Sequence, residues 1–386
     1  MRSNEEALKV GRPLLIVFLI DALGWEIVER FGFCRDLLSR RAPLGTVLGY
    51  SSAAIPSLLS GAPPSAHKAW AMWRLAKGNS PFGFLRALPR MPHPLEWRTR
   101  WLTRRITDRR GKIKGYYDLY EIPLRVLGHF DVAEHGDPYQ PGGLPVETIF
   151  DRLVAERVPY RMWYYHTPEA ENMQALFNAV DSEAGVLFLY TPELDALMHR
   201  VGVFDHSVER KLRGYERFLR SVIERGGGCH RDVTLCVLSD HGMTDVHTTV
   251  DLWGEVTKAG YRLGRDYLAF YDSTMARFWC GDAIRDRVAA LLQDADAGRL
   301  LSEEELAAYG CLFEDHSYGN AIFLLHPGIM IVPSFMGKVG LAAMHGYDPA
   351  DRYSMGCFLT TDTTEDLPGS ILDVKRYLLA RLPGGR

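Results

Sequence analysis

The chain is nearly free of net charge. Its 386 residues carry 45 Lys and Arg against 48 Asp and Glu, a formal −3. With 17 Phe, 18 Tyr and 8 Trp as well, this excludes an intrinsically disordered chain, which needs few aromatics and a high net charge. Cysteine is scarce. Cys34, Cys229, Cys236, Cys280, Cys311 and Cys357 are scattered without a C-x-x-C pair. That spacing excludes a zinc ribbon and a disulfide framework and suits reduced, buried thiols. No long apolar run opens the sequence. Leu14 to Ile20 is far shorter than the roughly 20 residues a membrane span needs. Glu5 and Glu6 precede it and no small-residue cleavage site follows closely, so it reads as a buried strand, not a signal peptide. A cytoplasmic location is expected. Internal repeats and low-complexity tracts are also missing.

Charge is present but unevenly placed. Between Ala66 and Gly115 there are 13 Lys and Arg and only two acids, Glu96 and Asp108. A uniform nucleic-acid binder would not confine its cations to one segment, so no nucleic-acid polymer is expected as partner. A basic segment on an acidic body suits local anion binding or a membrane-facing device.

The pattern of the rest is α/β. Leu14–Ile20, Val186–Tyr190 and Val233–Leu238 are continuous apolar runs, as in strands buried on both faces of a parallel sheet. Pro145–Glu156 and Val208–Glu224 carry apolar residues at helical spacing. Strands alternating with helices predict a largely parallel sheet. Two stretches break the rhythm and divide the chain. Residues 1–65, 144–260 and 337–386 are expected to form the catalytic core. Residues 66–143 form a basic, aromatic-rich cap insertion, and residues 261–336 a small α+β lobe. Within the lobe a strand is expected at Ala276–Trp279, a helix at Ala283–Leu292, and a hairpin over Ile322 to Val332 turning at His326-Pro327-Gly328. The tail Pro383 to Arg386 is expected to fray.

Each of the three strands ends in polar residues, where ligands sit in open α/β sheets. Asp21 follows the first, Asp195 and His199 follow the second, and Asp240-His241 follow the third. Asp195 and His199 are four apart, which places both on one face of a helix. His345 is a later contribution, and Ser51 stands in Gly49-Tyr50-Ser51-Ser52. Carboxylate oxygen and imidazole nitrogen are normal ligands of zinc or manganese. Two such ions clamp the attacking and leaving oxygens of a displacement at phosphorus, and coordination activates a serine hydroxyl.

These segments resemble the type I phosphodiesterase and nucleotide pyrophosphatase branch of the alkaline phosphatase superfamily. Leu19 to Gly24 resembles its first ligand strand, and Ser51 to Gly61 its nucleophile helix. Asp195-Ala-Leu-Met-His199-Arg-Val-Gly202, Ser239-Asp240-His241-Gly242-Met243 and Met344-His345-Gly346-Tyr347-Asp348 resemble its three later motifs. The resemblance implies a three-layer sandwich around a mainly parallel sheet, and a phosphodiester or pyrophosphate hydrolase. One metal ion would take Asp21, Ser51, Asp240 and His241. The other would take Asp195, His199 and His345 and bind the phosphoryl oxygen. The ions would be zinc, with manganese as alternative. The family nucleophile stands nine residues before a Thr or Ser followed by Gly. Counting back from Ser60-Gly61 gives Ser51, with Ser52 as rival. In the resembling motif Pro and Asn follow the nucleophile by two and three residues, where this chain has Ala53 and Ala54. The missing Asn would remove a donor to a phosphoryl oxygen, a loss of ~3 kcal/mol in the transition state. The sulfatase motif is absent, because Ile55 stands at its Arg.

In the cap, Trp70, Trp73, Phe82, Phe84, Trp97 and Trp101 alternate with the cations. Arg104, Arg105, Arg109 and Arg110 are the candidates for substrate binding, either to phosphate or as an interfacial helix against anionic lipid. His67, His93, His129 and His135 form no ligand pattern there. The expected substrate is a small-molecule or lipid-linked phosphate ester. A phosphomonoesterase or phosphotransferase using the same site, and an inactive anion-binding relative, are the alternatives.

Overall fold

The computed structural model describes residues 13–87, 93–111, 113–229, 231–364 and 366–382. The tail expected to fray lies outside them. The central sheet has six strands: β1 (Leu14–Ile20), β2 (Arg40–Leu44), β3 (Tyr160–Trp163), β4 (Val186–Thr191), β5 (Val233–Leu238) and β6 (Gly356–Thr360). Their order is β2-β6-β5-β1-β4-β3. Only β6 is antiparallel to its neighbours, β2 and β5. The pairs β1–β4, β1–β5 and β3–β4 are parallel.

Every residue of β1 is buried. Leu15, Val17 and Leu19 enter one core, while Leu14, Ile16, Phe18 and Ile20 enter the core on the opposite face. This two-sided burial is why β1 reads as an unbroken apolar run. On the first face lie α1 (Ser51–Ser60) and α5 (Ile371–Leu379). On the second lies α4 (His206–Gly228), whose Leu212, Tyr215, Leu219 and Val222 form its buried stripe. The result is the expected α/β architecture, helices covering both faces of a mainly parallel sheet. The helix expected from Pro145 begins at Ile149, because Thr148 and Asp151 form a reciprocal capping box there.

Beyond the sheet, the cap segment contributes the strand pair Trp73–Leu75 with Phe130–Val132 and the helix α2 (His93–Arg110). The lobe contributes a four-stranded antiparallel sheet, Leu268–Tyr271, Met275–Trp279, Ala321–Leu325 and Gly298–Leu300 in that order. Cap and lobe share one hydrophobic core, with Phe82, Tyr117 and Phe130 from the first and Phe270, Phe278 and Phe323 from the second. Fully buried Arg277 ties them polar-wise, donating to Asp272 at 2.7 Å and to the Trp73 carbonyl at 2.7 Å.

The hairpin expected over Ile322 to Val332 does not form. The chain does reverse at His326 to Gly328, with Gly328 at φ +84°. Its two arms then join different partners. Ala321–Leu325 stays in the antiparallel sheet, and Ile329–Ile331 pairs in parallel with Thr248–Val250. Both arms are wholly buried, so the turn residues reveal the reversal while tertiary packing selects the partners.

Candidate active site and metal centre

The three ligand-bearing strands β5, β1 and β4 are neighbours at the centre of the sheet. Their carboxyl ends therefore converge, and the segments beyond them meet. Two clusters result. Asp21, Asp240 and His241 form one, and Asp195, His199 and His345 the other; within each, the potential ligand atoms lie within 4.8 Å of one another. The rings of His241 and His345 stack with centroids 3.9 Å apart and join the two clusters.

Local structure fixes each side chain. His241 Nδ1–H donates to the Gly242 carbonyl at 2.9 Å, which leaves Nε2 to act as an acceptor or ligand. His199 does the same through Ala343 O at 2.8 Å. A hydrogen bond of this kind on the other nitrogen is the usual arrangement for an imidazole that holds a metal. Asp195 and His199 lie on α3 (Glu193–Val201), and their ligand atoms are 3.2 Å apart. Gly242 permits the tight loop after β5, because a Cβ there would stand 2.1 Å from the Tyr353 carbonyl oxygen. Gly346 follows His345 at φ +87°, pressed against the Tyr50 ring.

Several polar atoms here are buried without a protein hydrogen bond, among them Asp195 Oδ1 and Asp240 Oδ2. Orphaned carboxylate oxygens beside imidazole nitrogens fit divalent ions. The electrostatics agree. Burial, then the Asp240 and Asp195 charges, hold the Asp21 carboxyl well above its ordinary range. Burial likewise raises Asp240. Burial, then His241 and His199, push the His345 imidazole well down, which keeps it neutral. At His199, burial opposes the charge, but the Asp195 contact outweighs it and raises the imidazole. Buried acids crowded in this way need cations to be ionised together.

Ser51 is the first residue of α1. Its Oγ lies 2.9 Å from His241 Nε2 and 3.5 Å from Asp21 Oδ1. Ser52 lines the same cavity, but it is the Ser51 hydroxyl that touches the ligand set. Ala53 and Ala54 are buried in the core on the sheet side of α1. Neither is among the residues that line the cavity, and the alanine at position 54 offers no donor there.

The cavity in front of Ser51 measures about 520 Å³. Its wall includes residues that no motif or periodicity marks. Tyr190, at the end of β4, donates to Asp21 Oδ2 at 2.6 Å; its strand-end position beside β1 was a usable signal. Tyr139 stacks on Tyr190 at 5.4 Å and is 2% exposed, yet its hydroxyl has no partner. It lies in a cap loop with no periodicity to betray it. The cap also contributes Trp73, Tyr116, Tyr120 and Glu134, among others.

The four cap arginines are elsewhere. Arg104 donates to the Tyr117 carbonyl at 2.8 Å and lies over that ring, and Arg105 lies over Trp101. Arg109 and Arg110 are exposed at the end of α2. None of the four lines the cavity. Among the described residues no cap histidine belongs to a metal cluster. Buried His67 accepts from Ala69 N–H and bonds Ser57 at 2.9 Å, its imidazole lowered by burial to about 4. His135 pairs with Asp131 at 3.0 Å. The side chain of His93 lies outside the described residues.

Residues 15–364 match the family model for type I phosphodiesterase / nucleotide pyrophosphatase. No curated protein matches the chain in sequence. Among solved structures, murine ectonucleotide pyrophosphatase / phosphodiesterase 5 superposes with a TM-score of 0.66 at 15% identity, over 96% of this chain and 95% of that one. An inactive variant of the murine protein in complex with AMP gives 0.65 at 15% identity, over 96% and 94%. The human counterpart gives 0.66 at 13% identity, over 96% and 95%. At these identities the likeness is one of fold. The family match spans most of the chain, and with the fold it makes this protein a member of the type I phosphodiesterase/nucleotide pyrophosphatase family, a hydrolase of the alkaline phosphatase superfamily.

Proposed function

We propose that the chain is a metal-dependent hydrolase of phosphodiester or pyrophosphate bonds that works through a phosphoryl or nucleotidyl ester on Ser51. The observation that carries this is the position of Ser51 Oγ, in contact with His241 and Asp21 at the mouth of the cavity. Asp21, Asp240 and His241, with the Ser51 oxygen, would hold one divalent ion, and Asp195, His199 and His345 the second, zinc or manganese. When bound, the two ions supply positive charge to the serine oxygen and to the phosphoryl group. Ser51 Oγ forms its bond to phosphorus as the bond to the leaving oxygen breaks, and the serine proton leaves to solvent. Water then cleaves the Ser51 ester. The apolar, aromatic space beyond the ligands accommodates a second substituent on phosphorus, which favours a diester over a monoester. Steady-state rates of the metal-loaded protein on bis(4-nitrophenyl) phosphate and 4-nitrophenyl phosphate test this. A faster monoester would make the protein a phosphomonoesterase, and no turnover of either an inactive relative.

The unpartnered Tyr139 hydroxyl supplies a donor at the reacting group. Burial, then the charges of Asp21 and Asp240, keeps the phenol protonated. Tyr139→Phe is expected to lower kcat by about 10²–10³, the usual cost of one such donor, while leaving metal content unchanged. A loss below threefold would remove Tyr139 from the reaction.

A lipid-linked substrate is favoured by one surface feature. Trp97 is 64% exposed, Trp101 53% and Leu102 51%, all on the basic helix α2. Indole rings beside arginines suit the headgroup region of anionic membranes. Sedimentation with phosphatidylserine vesicles should show binding at low salt that fails at about 0.5 M salt and in Trp97→Ala/Trp101→Ala. Equal binding to neutral vesicles would argue against this contact.

A further inference from the structure

The wall of the cavity is unusual in its charge. Among the described residues it contains no lysine and no arginine. Beyond the metal clusters its surface is aromatic, from Trp73, Tyr116, Tyr120, Tyr139 and Tyr165, with two acids, Asp272 and Glu134. Asp272 is neutralised by Arg277 at 2.7 Å. Glu134 has no such partner, and its Oε1 is buried without a hydrogen bond. The backbone around it is tightly fixed: a Cβ on Gly115 would come within 2.9 Å of the Glu134 carbonyl oxygen.

From this we infer that the enzyme selects phosphodiesters whose second substituent carries no anionic group, and that Glu134 enforces the selection. The inference deepens the hydrolase reading above and rests on it. The two ions would serve one phosphoryl group. An anionic group on the second substituent needs its own cationic or multiple N–H partners, and a desolvated anion without them is strongly disfavoured. Here it would meet a wall of aromatic side chains without lysine or arginine among the described residues, and the carboxyl of Glu134. The charged and titratable groups facing Glu134 are Asp137 and the phenols of Tyr139, Tyr165 and Tyr318. Burial, then Asp137, raises its carboxyl to about 8. The rejection of anions therefore strengthens as the pH climbs through that value and the carboxylate forms.

The test uses the metal-loaded full chain and two diesters with the same 4-nitrophenolate leaving group. The second substituent is 3-hydroxypropyl in one and 2-sulfonatoethyl in the other. We expect kcat/KM for the sulfonate to fall at least tenfold below the neutral ester at about pH 7.5, with the ratio growing toward pH 9. Glu134→Gln should make the ratio independent of pH, and Glu134→Lys should invert it. Calorimetric binding of non-hydrolysable phosphonates bearing the same substituents reads the same ratio without turnover. Binding thus separates a failure of selectivity from a failure of hydrolysis. Equal use or equal binding of the two substituents by the wild-type protein would overturn the inference. So would a ratio unmoved by both substitutions.

Discussion

Ser51→Ala is expected to reduce kcat on a diester by on the order of 10⁴-fold or more, the scale on which removal of a covalent nucleophile is felt. The fold should survive. Ser51 is half-buried at the first position of α1 and its hydroxyl contacts only the ligand cluster. Alanine is the best helix former, and α1 continues into Ala53 and Ala54. Unfolding should therefore be nearly unchanged while chemistry stops. Ser52→Ala is the internal control. Ser52 shares the cavity, so its loss should cost no more than about tenfold, the scale of a peripheral contact. Acid-quenched protein should carry a phosphoryl-type adduct on Ser51 by intact mass and peptide mapping, absent in Ser51→Ala. If Ser52→Ala were the dead variant, the nucleophile register would be shifted by one residue and the geometry at His241 would have another purpose.

What the sequence revealed follows a physical division. Asp21, Asp195, Asp240 and His241 were legible because each follows a strand buried on both faces. β1 and β5 have the bounds their apolar runs predict, and β4 differs by one residue. Adjacent parallel strands then deliver those ends to one place. Asp195 and His199 were legible also through their helical spacing. The strands β2, β3 and β6 carried no comparable signal: β2, Arg40 to Leu44, is an edge strand with two arginines and a proline. The cavity wall was illegible for a different reason. Tyr116, Tyr120, Glu134 and Tyr139 come from irregular cap segments, Tyr120 packed against the core shared with the lobe and Tyr139 within the core of the central sheet. No period in the cap encodes that packing. The run of arginines on α2 was conspicuous in sequence, yet these residues serve Tyr117, Trp101 and solvent. The less conspicuous tyrosines surround Ser51.

Removing the ions should affect both activity and stability, and the pH dependence of the second effect distinguishes bound metal from incidental salt. Metal analysis after mild purification should find about two divalent ions per chain. Chelation should abolish turnover, with recovery on adding zinc or manganese. At 100-fold excess over its dissociation constant, one ion stabilises the folded state by ~2.7 kcal/mol, so the midpoint of thermal unfolding should drop by roughly 5 °C or more on chelation. The sign with pH follows from the ligands. In the stripped protein Asp21 and Asp240 have folded values raised above their unfolded ones. The folded state then binds more protons, and its stability is lost as the pH rises through those raised values. The ions remove that penalty by taking the place of the protons. His199, also raised, must release a proton to become a ligand, whereas His345 is already neutral and releases none. The gain in melting temperature on adding metal should therefore be larger at about pH 8 than at about pH 6. At the lower pH, calorimetric binding should release protons, seen as a dependence of the measured heat on the buffer. His345→Ala should lose one of the two ions and keep the pH-dependent gain from the Asp21 cluster. A gain of equal size at both pH values, or full activity after chelation, would show that these buried acids and imidazoles do not hold catalytic ions.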